Sequence, residues 1–288
     1  MPSSPQTLQI PTGDISPQAT STLNATINLD SRLVAPATAP FNPADPTSYN
    51  NSTSVTLYDT LGNPHLLSLY FVKTATANQW NTFATVDGTA ATNVNLGGGA
   101  GVGEQLAFST GGTLTTPMPL TATIDLNQVA TDLGLVNGAT TPLTFAVNFK
   151  NTSQFGSNFG VSSLAQNGFT SGRLSGLAVG ADGIIQGRYS NGQSRNIGEI
   201  VLANFNNPQG LKPLGNNQWA ESSDSGPATI GAPNTGSLGV LQASAVEDSN
   251  VDLTAELVNM ITMQRAYQAN AQTIKTQDSL LQTLVNLR

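Results

Sequence analysis

The chain has 288 residues, a net charge of −7, a pI near 4.4 and only 9% charged residues, against ~25% in ordinary soluble proteins. It contains no cysteine, which excludes disulfides, zinc–thiolate sites and thiol nucleophiles. It also has no basic stripe, so no nucleic acid partner is expected. Thr, Ser, Asn, Gln and Gly fill the shortfall in charge, giving a polar, weakly charged surface that suits subunits packing side by side. No apolar run approaches the ~20 residues of a membrane span, so no membrane insertion is expected. Met1-Pro-Ser-Ser-Pro-Gln has neither the basic nor the apolar region of a secretory signal, so export by a cleaved signal in this chain is not expected.

Prolines at 2, 5, 11 and 17 mark residues 1–17 as an extended connector. Leu23–Leu29 then alternates apolar and polar residues, as one buried sheet face requires. Pro36 to Ser48 reads as a loop. Ser54–Tyr58 and His65–Val72 flank Asp59-Thr-Leu-Gly-Asn-Pro64 and predict a β-hairpin with a longer loop. Trp80–Val86, Glu104–Phe108, Leu120–Leu126 and Leu143–Lys150 continue the rhythm of short strands, so 18–165 is expected to form one all-β domain. A second β unit, 166–249, opens with Gly172–Val179, Ile184–Tyr189 and Arg195–Phe205. These join at Asp182-Gly183 and Asn191-Gly192, the favoured central pairs of type I′ turns. The Gly/Ser/Pro-rich stretch 215–239 reads as irregular.

The last segment, 250–288, differs in kind. From Asp252 to Leu287 there is neither Gly nor Pro, and 36 residues of helix would span ~54 Å. Leu253, Met260, Tyr267, Ile274 and Leu281 recur every seven residues, with Leu257, Ala271 and Val285 four residues after alternate members. That is the seam of a helix built to lie along another helix. Ser249–Asp252 supplies N-cap candidates and Arg288 suits the C-terminal end. No other segment reads as helical enough to cover the seam, so its partner is expected outside this sequence.

No chemical motif competes with this reading. His65, the single histidine, follows Asn63-Pro64 and is expected as a half-exposed turn residue. Alone and without cysteine it builds no common zinc site, and any Ser-His-Asp arrangement would need it as the base. Gly97–Gly103 fails both the G-x-G-x-x-G and the P-loop patterns and reads as a flexible loop or tight turns. The fold class is therefore mainly β with a long C-terminal amphipathic helix. No catalytic residue, cofactor or metal is expected, and the assembly seam is Leu253, Leu257, Met260, Tyr267, Ile274, Leu281 and Val285.

Ser249–Ile261, with Gln264-Arg-Ala-Tyr-Gln-Ala-Asn270, closely resembles the terminal helix of the bacterial flagellar axial family. Thr273–Asp278 and Leu284–Arg288 resemble its hook branch in particular. Val55–Pro64, Leu69–Thr74, Tyr189–Gln193 and Leu202–Phe205 agree, whereas 75–145 matches loosely. The resemblance implies a structural subunit that polymerises with its own copies into a curved, flexible tube joining motor to filament, its terminal helices lining the core. It implies an outer domain at 18–165 inserted in an inner β-domain, of which 1–17 is part and 166–249 the C-terminal half. It also implies rod and hook–filament junction proteins as partners, a hook cap during assembly, and an extracellular place reached through the flagellar export apparatus. Family members begin with a helix that pairs with the terminal one, so this chain is expected to lack the family's N-terminal portion. The alternatives are a distal-rod or hook-associated member, or a secreted β-rich adhesin, which would need an aromatic-lined site where the sequence shows no aromatic cluster.

Overall fold

In β1 (Thr22–Asp30), Leu23, Ala25, Ile27 and Leu29 are all buried and alternate with more exposed polar residues, the period of two that one covered sheet face demands. The structure, a computed structural model, describes residues 6–11, 13–136 and 138–286. Residues 1–5 of the connector, and Leu287 and Arg288 at the end of the expected helix, lie outside these. The fold is mainly β with one long C-terminal helix, and the chain divides into two units, 1–241 and 242–288.

Two sheets enclose the main core of the first unit. One sheet runs β2 (Asn51–Tyr58), β3 (Pro64–Lys73), β4 (Gln79–Val86) and β6 (Glu104–Ala107), all antiparallel. The other is mixed and runs β10 (Gly160–Gln166), β1, β8 (Leu143–Asn148), β7 (Leu120–Ile124) and β5 (Val94–Asn95). β8 and then β9 (Ser153–Phe155) pair in parallel with successive halves of β1. Leu67, Leu69 and Phe71 of β3, Trp80 of β4 and Phe145 and Val147 of β8 meet in one apolar cluster. The Trp80 indole N–H donates to Gln154 Oε1 at 2.9 Å and so ties the two sheets across a buried gap.

The sandwich is entered and left at one end. Ser21 and Thr22 N–H both donate to Asn167 Oδ1, and the incoming and outgoing segments pair through Gln18↔Phe169 and Ile15↔Gly172. This neck leads to β11 (Leu174–Val179), β12 (Ile184–Tyr189) and β13 (Ser194–Glu199), the three-stranded meander expected from the sequence.

Four details correct the sequence reading. The turns at Asp182-Gly183 and Asn191-Gly192 are not type I′, because in each only the glycine has positive φ, +83° and +80°. Gly183 N–H donates to Gly180 O and Gly180 N–H to Ile184 O; Gly192 and Tyr189 repeat the pattern with Gln193. This is the three-residue loop with a type I turn closed by a left-handed glycine. The same bonding closes Asp59–Asn63 on Gly62 and Ser109–Thr113 on Gly112. Secondly, the stretch read as strand to Leu126 ends at Ile124, and α1 (Leu126–Asp132) follows, capped by Asp125 accepting from Asn127 and Gln128 N–H. Its buried Leu126, Val129 and Ala130 are spaced as on a helix, but seven residues are too few for the period to stand out. Thirdly, Arg195–Phe205 is two elements, β13 and then β14 (Leu202–Asn204), which leaves the meander to pair with β17 (Thr229–Gly231). Fourthly, the stretch read as irregular holds β17 and β16 (Gln218–Ala220), which forms a hairpin with β15 (Lys212–Gly215) at the start of that stretch. In that hairpin Asn216 and Asn217 both have positive φ, the type I′ geometry expected elsewhere.

Candidate assembly surface

α2 (Leu253–Asn286) is 34 residues long, ~51 Å, and none of its described side chains is buried. Asp252 Oδ1 accepts from Thr254 and Ala255 N–H, capping the free donors of the first turn, and Glu256 adds negative charge where the helix dipole favours it. Leu253, Met260, Tyr267, Ile274 and Leu281 all lie exposed, as do Leu257 and Val285. A strict seven-residue repeat drifts by ~20° per heptad on a straight helix, so these side chains form a slanting stripe.

The helix also carries apolar residues that the heptad reading missed. Val258, Ile261, Met263, Leu280 and Leu284 are exposed as well. Leu280 stands ~100° around the axis from Leu281, and Val258 likewise from Leu257, so apolar surface reaches beyond one face. Four threonines, at 262, 273, 276 and 283, donate their hydroxyls to the carbonyl four residues earlier at 2.8–2.9 Å. Their hydroxyls are thereby satisfied within the helix, which makes even these positions cheap to bury.

The first unit holds the single histidine in more definite surroundings than a half-exposed turn. His65 Nδ1 lies 2.7 Å from Asp87 Oδ2, and Nε2 lies 3.6 Å from Asp59 Oδ2, with only 16% of the side chain exposed. Asp59 accepts from Leu61 N–H, Asn63 N–H and Asn63 Nδ2, each at 2.8 Å, and Asp87 accepts from Leu66 N–H at 2.7 Å. The hydrogen bond to Asp87 raises the His65 pKa above the ordinary value against the opposing effect of burial. Burial pushes both carboxyls up, yet hydrogen bonds outweigh it and hold each below the usual range: from Asn63 and Leu61 on Asp59, and from His65 and Leu66 on Asp87. The three residues border a cleft of about 470 Å³ whose other wall is apolar, from Leu126, Val129 and Ala130. The ring faces two carboxylates and no nucleophile, an arrangement suited to holding a charge rather than to acyl transfer.

Two further regions bear on the sequence reading. Gly97–Gly103 forms tight turns, with Asn95 Oδ1 accepting from Gly97 and Gly99 N–H. Four aromatic rings do cluster, contrary to the sequence expectation: Phe41 stacks on Phe83 with centroids 4.3 Å apart, and Tyr70 lies within 5.1 Å of Phe41 and 4.9 Å of Tyr49. They are partners to each other, packing the loop around Phe41 and Tyr49 onto β3 and β4. No helix among the described residues is long and apolar enough to cross a membrane, and they hold no group of three or more His, Asp or Glu placed to bind a metal.

Both parts of the chain, the β-rich body and the long helix with apolar residues on several sides, match families of flagellar proteins. Residues 28–169 match the family of the flagellar basal body protein FlaE D2 domain, and residues 242–287 match the C-terminal family of the flagellar basal body rod FlgEFG proteins. Over 287 residues the chain is 42% identical to the flagellar hook protein FlgE of Escherichia coli strain K12, covering 99% of this chain and 67% of that protein. Identity to FlgE of Salmonella typhimurium is 40% over 295 residues, with the same coverage. The crystal structure of Helicobacter pylori FlgE2 aligns at TM-score 0.41 and 16% identity, over 61% of this chain and 37% of that one. The chain belongs to the flagellar hook protein family and is a structural subunit of the hook; it spans about two thirds of the length of the two relatives it matches over nearly all of its own.

Proposed function

We propose that this chain polymerises with other copies of itself into the flexible tube that couples the flagellar rod to the filament, with α2 packed among the terminal helices of its neighbours. The observation that carries the proposal is the spread of apolar side chains beyond one face of α2. A helix apolar on several sides is stable only when surrounded, and most helical stability in proteins comes from such packing. Leu253, Leu257, Met260, Tyr267, Ile274, Leu281 and Val285 form the assembly seam, and Val258, Ile261, Leu280 and Leu284 meet further neighbours. Full burial of each larger side chain contributes roughly 1.5–3 kcal/mol, so a few suffice to drive association.

On this reading the further partners are rod proteins, hook–filament junction proteins and, during growth, a hook cap. The protein works outside the cell, delivered by the flagellar export apparatus, and catalyses nothing. Residues 18–165 act as the outer domain, 1–17 and 166–249 as parts of the inner β-domain, and 250–288 as the core helix. The adjacent entry and exit strands at Gln18 and Phe169 support this division, since an inserted domain needs its two ends side by side. The test introduces Leu257→Asp together with Ile274→Asp at the chromosomal locus. Hooks counted by electron microscopy are expected to disappear while the purified variant keeps the β circular-dichroism signal of the parent. Normal hooks in the double variant would overturn the proposal.

A further inference from the structure

The Asp59–Asn63 turn sits on the neck of the first unit. A Cβ on Gly62 would stand 2.7 Å from Pro17 Cβ and 3.3 Å from Thr170 Cα, one residue from each of the two segments that connect the sandwich to the meander. Tyr58, just before the turn, exchanges hydrogen bonds with Thr20: Thr20 N–H donates to Tyr58 O and Tyr58 N–H to Thr20 Oγ1, both at 2.9 Å. Whatever fixes this turn therefore fixes the neck.

The His65 ring is placed to do so. Its two nitrogens face two carboxylates that belong to different turns, Asp59 after β2 and Asp87 after β4. A neutral imidazole has one N–H, so with Nδ1–H donated to Asp87, Nε2 would present a lone pair to the buried Asp59 carboxylate. Nε2 is itself fully buried and has no hydrogen-bond partner within ordinary distance. An imidazolium has two N–H groups and a charge that both carboxylates attract. Among the described residues nothing else charged faces the ring. The α1 wall offers Leu126, Val129 and Ala130, followed by Leu133, Leu135 and Val136, while Asp132 is turned to Asn93 and Gln128 and Asp125 caps α1.

We propose that His65 is a proton-operated clasp: doubly protonated, it draws the Asp59 turn toward Asp87 and stiffens the neck between the sandwich and the meander; on losing a proton it releases that turn and lets the neck bend. The direction of the pH effect follows. A histidine whose folded pKa lies above its unfolded ~6.5 contributes stability that is fully present below pH ~6.5 and is lost as pH rises through the folded value. The neck is stiff in mild acid and loosens toward alkaline pH. Each unit by which the folded value exceeds the unfolded one corresponds to a tenfold change in the folding equilibrium.

Two measurements on the dilute protein decide it, and neither depends on polymerisation. Because the chain has a single histidine, its ring protons titrate without overlap in a proton NMR series from pH 5 to 10. The midpoint is expected above the ordinary ~6.5, and to fall in both Asp87→Asn and Asp59→Asn. Hydrogen exchange at the Ile15, Gln18, Phe169 and Gly172 amides, which pair across the neck, is expected to accelerate several-fold through that midpoint, beyond the base-catalysed rise seen at Leu69 in the centre of β3. In His65→Gln the extra step should vanish, with neck exchange already fast at pH 6. A midpoint at or below 6.5, or neck amides that follow Leu69 throughout, overturns the clasp; both readouts come from the parent protein and stand even where the variant does not fold.

Discussion

Gly112 and Gly192 close identical hairpin loops, and they separate two costs that are usually confounded. Both have positive φ, +77° and +80°, where a side chain costs ~1–2 kcal/mol through backbone sterics alone. A Cβ at 192 would meet nothing within 4 Å, whereas at 112 it would stand 2.6 Å from the Gln154 carbonyl oxygen, which β9 holds in place. Gly192→Ala is therefore expected to lower stability by ~1–2 kcal/mol, and Gly112→Ala by clearly more, in parallel denaturant melts. Equal losses would mean that the carbonyl yields at little cost. Trp80 makes a related point with a polar group. Trp80→Phe keeps most of the apolar volume but strands Gln154 Oε1 in the core, and a loss of ~1–3 kcal/mol is expected from the missing donor.

At the scale of elements, α2 shows how local rules and packing divide the work. Its start is set locally: Asp252 caps two amides, and Asp252→Ala is expected to remove ~1 kcal/mol of helix stability, read as lost helical circular dichroism in the isolated segment 248–286. Its persistence is not set locally, because isolated helices are marginal in water and much of this one's apolar surface is exposed. Helicity of that segment is therefore expected to rise with concentration as copies associate. High helicity independent of concentration would point to intrinsic propensity instead. α1 is the opposite case, a seven-residue helix held by its cap and by burying Leu126 and Val129 in the sandwich core.

For the molecule as a whole, the main core cluster draws its residues from Leu23 to Phe149, and the chain enters and leaves that region through one paired neck. An independent core with adjacent ends is what a self-folding insertion requires. Residues 18–169 expressed alone are expected to give a β-type circular-dichroism spectrum and one cooperative thermal transition. A non-cooperative melt would show that the meander is needed to hold the sandwich together.

The alternation in β1 and the glycine-free terminal helix were legible in the sequence because each depends on a period repeated along its segment, and burial on one face imposes that period directly. The heptad stripe was legible for the same reason, although the apolar residues outside its register were not. Turn geometry was not legible: Asp-Gly and Asn-Gly permit type I′, but the strand register leaves only the glycine left-handed, and the true type I′ turn falls at Asn216-Asn217. Nor could spacing place His65 between Asp59 and Asp87, or gather Phe41, Tyr49, Tyr70 and Phe83. Those groups come from separate turns and strands, and which of them meet is decided only by how the strands pair, a choice no local period encodes.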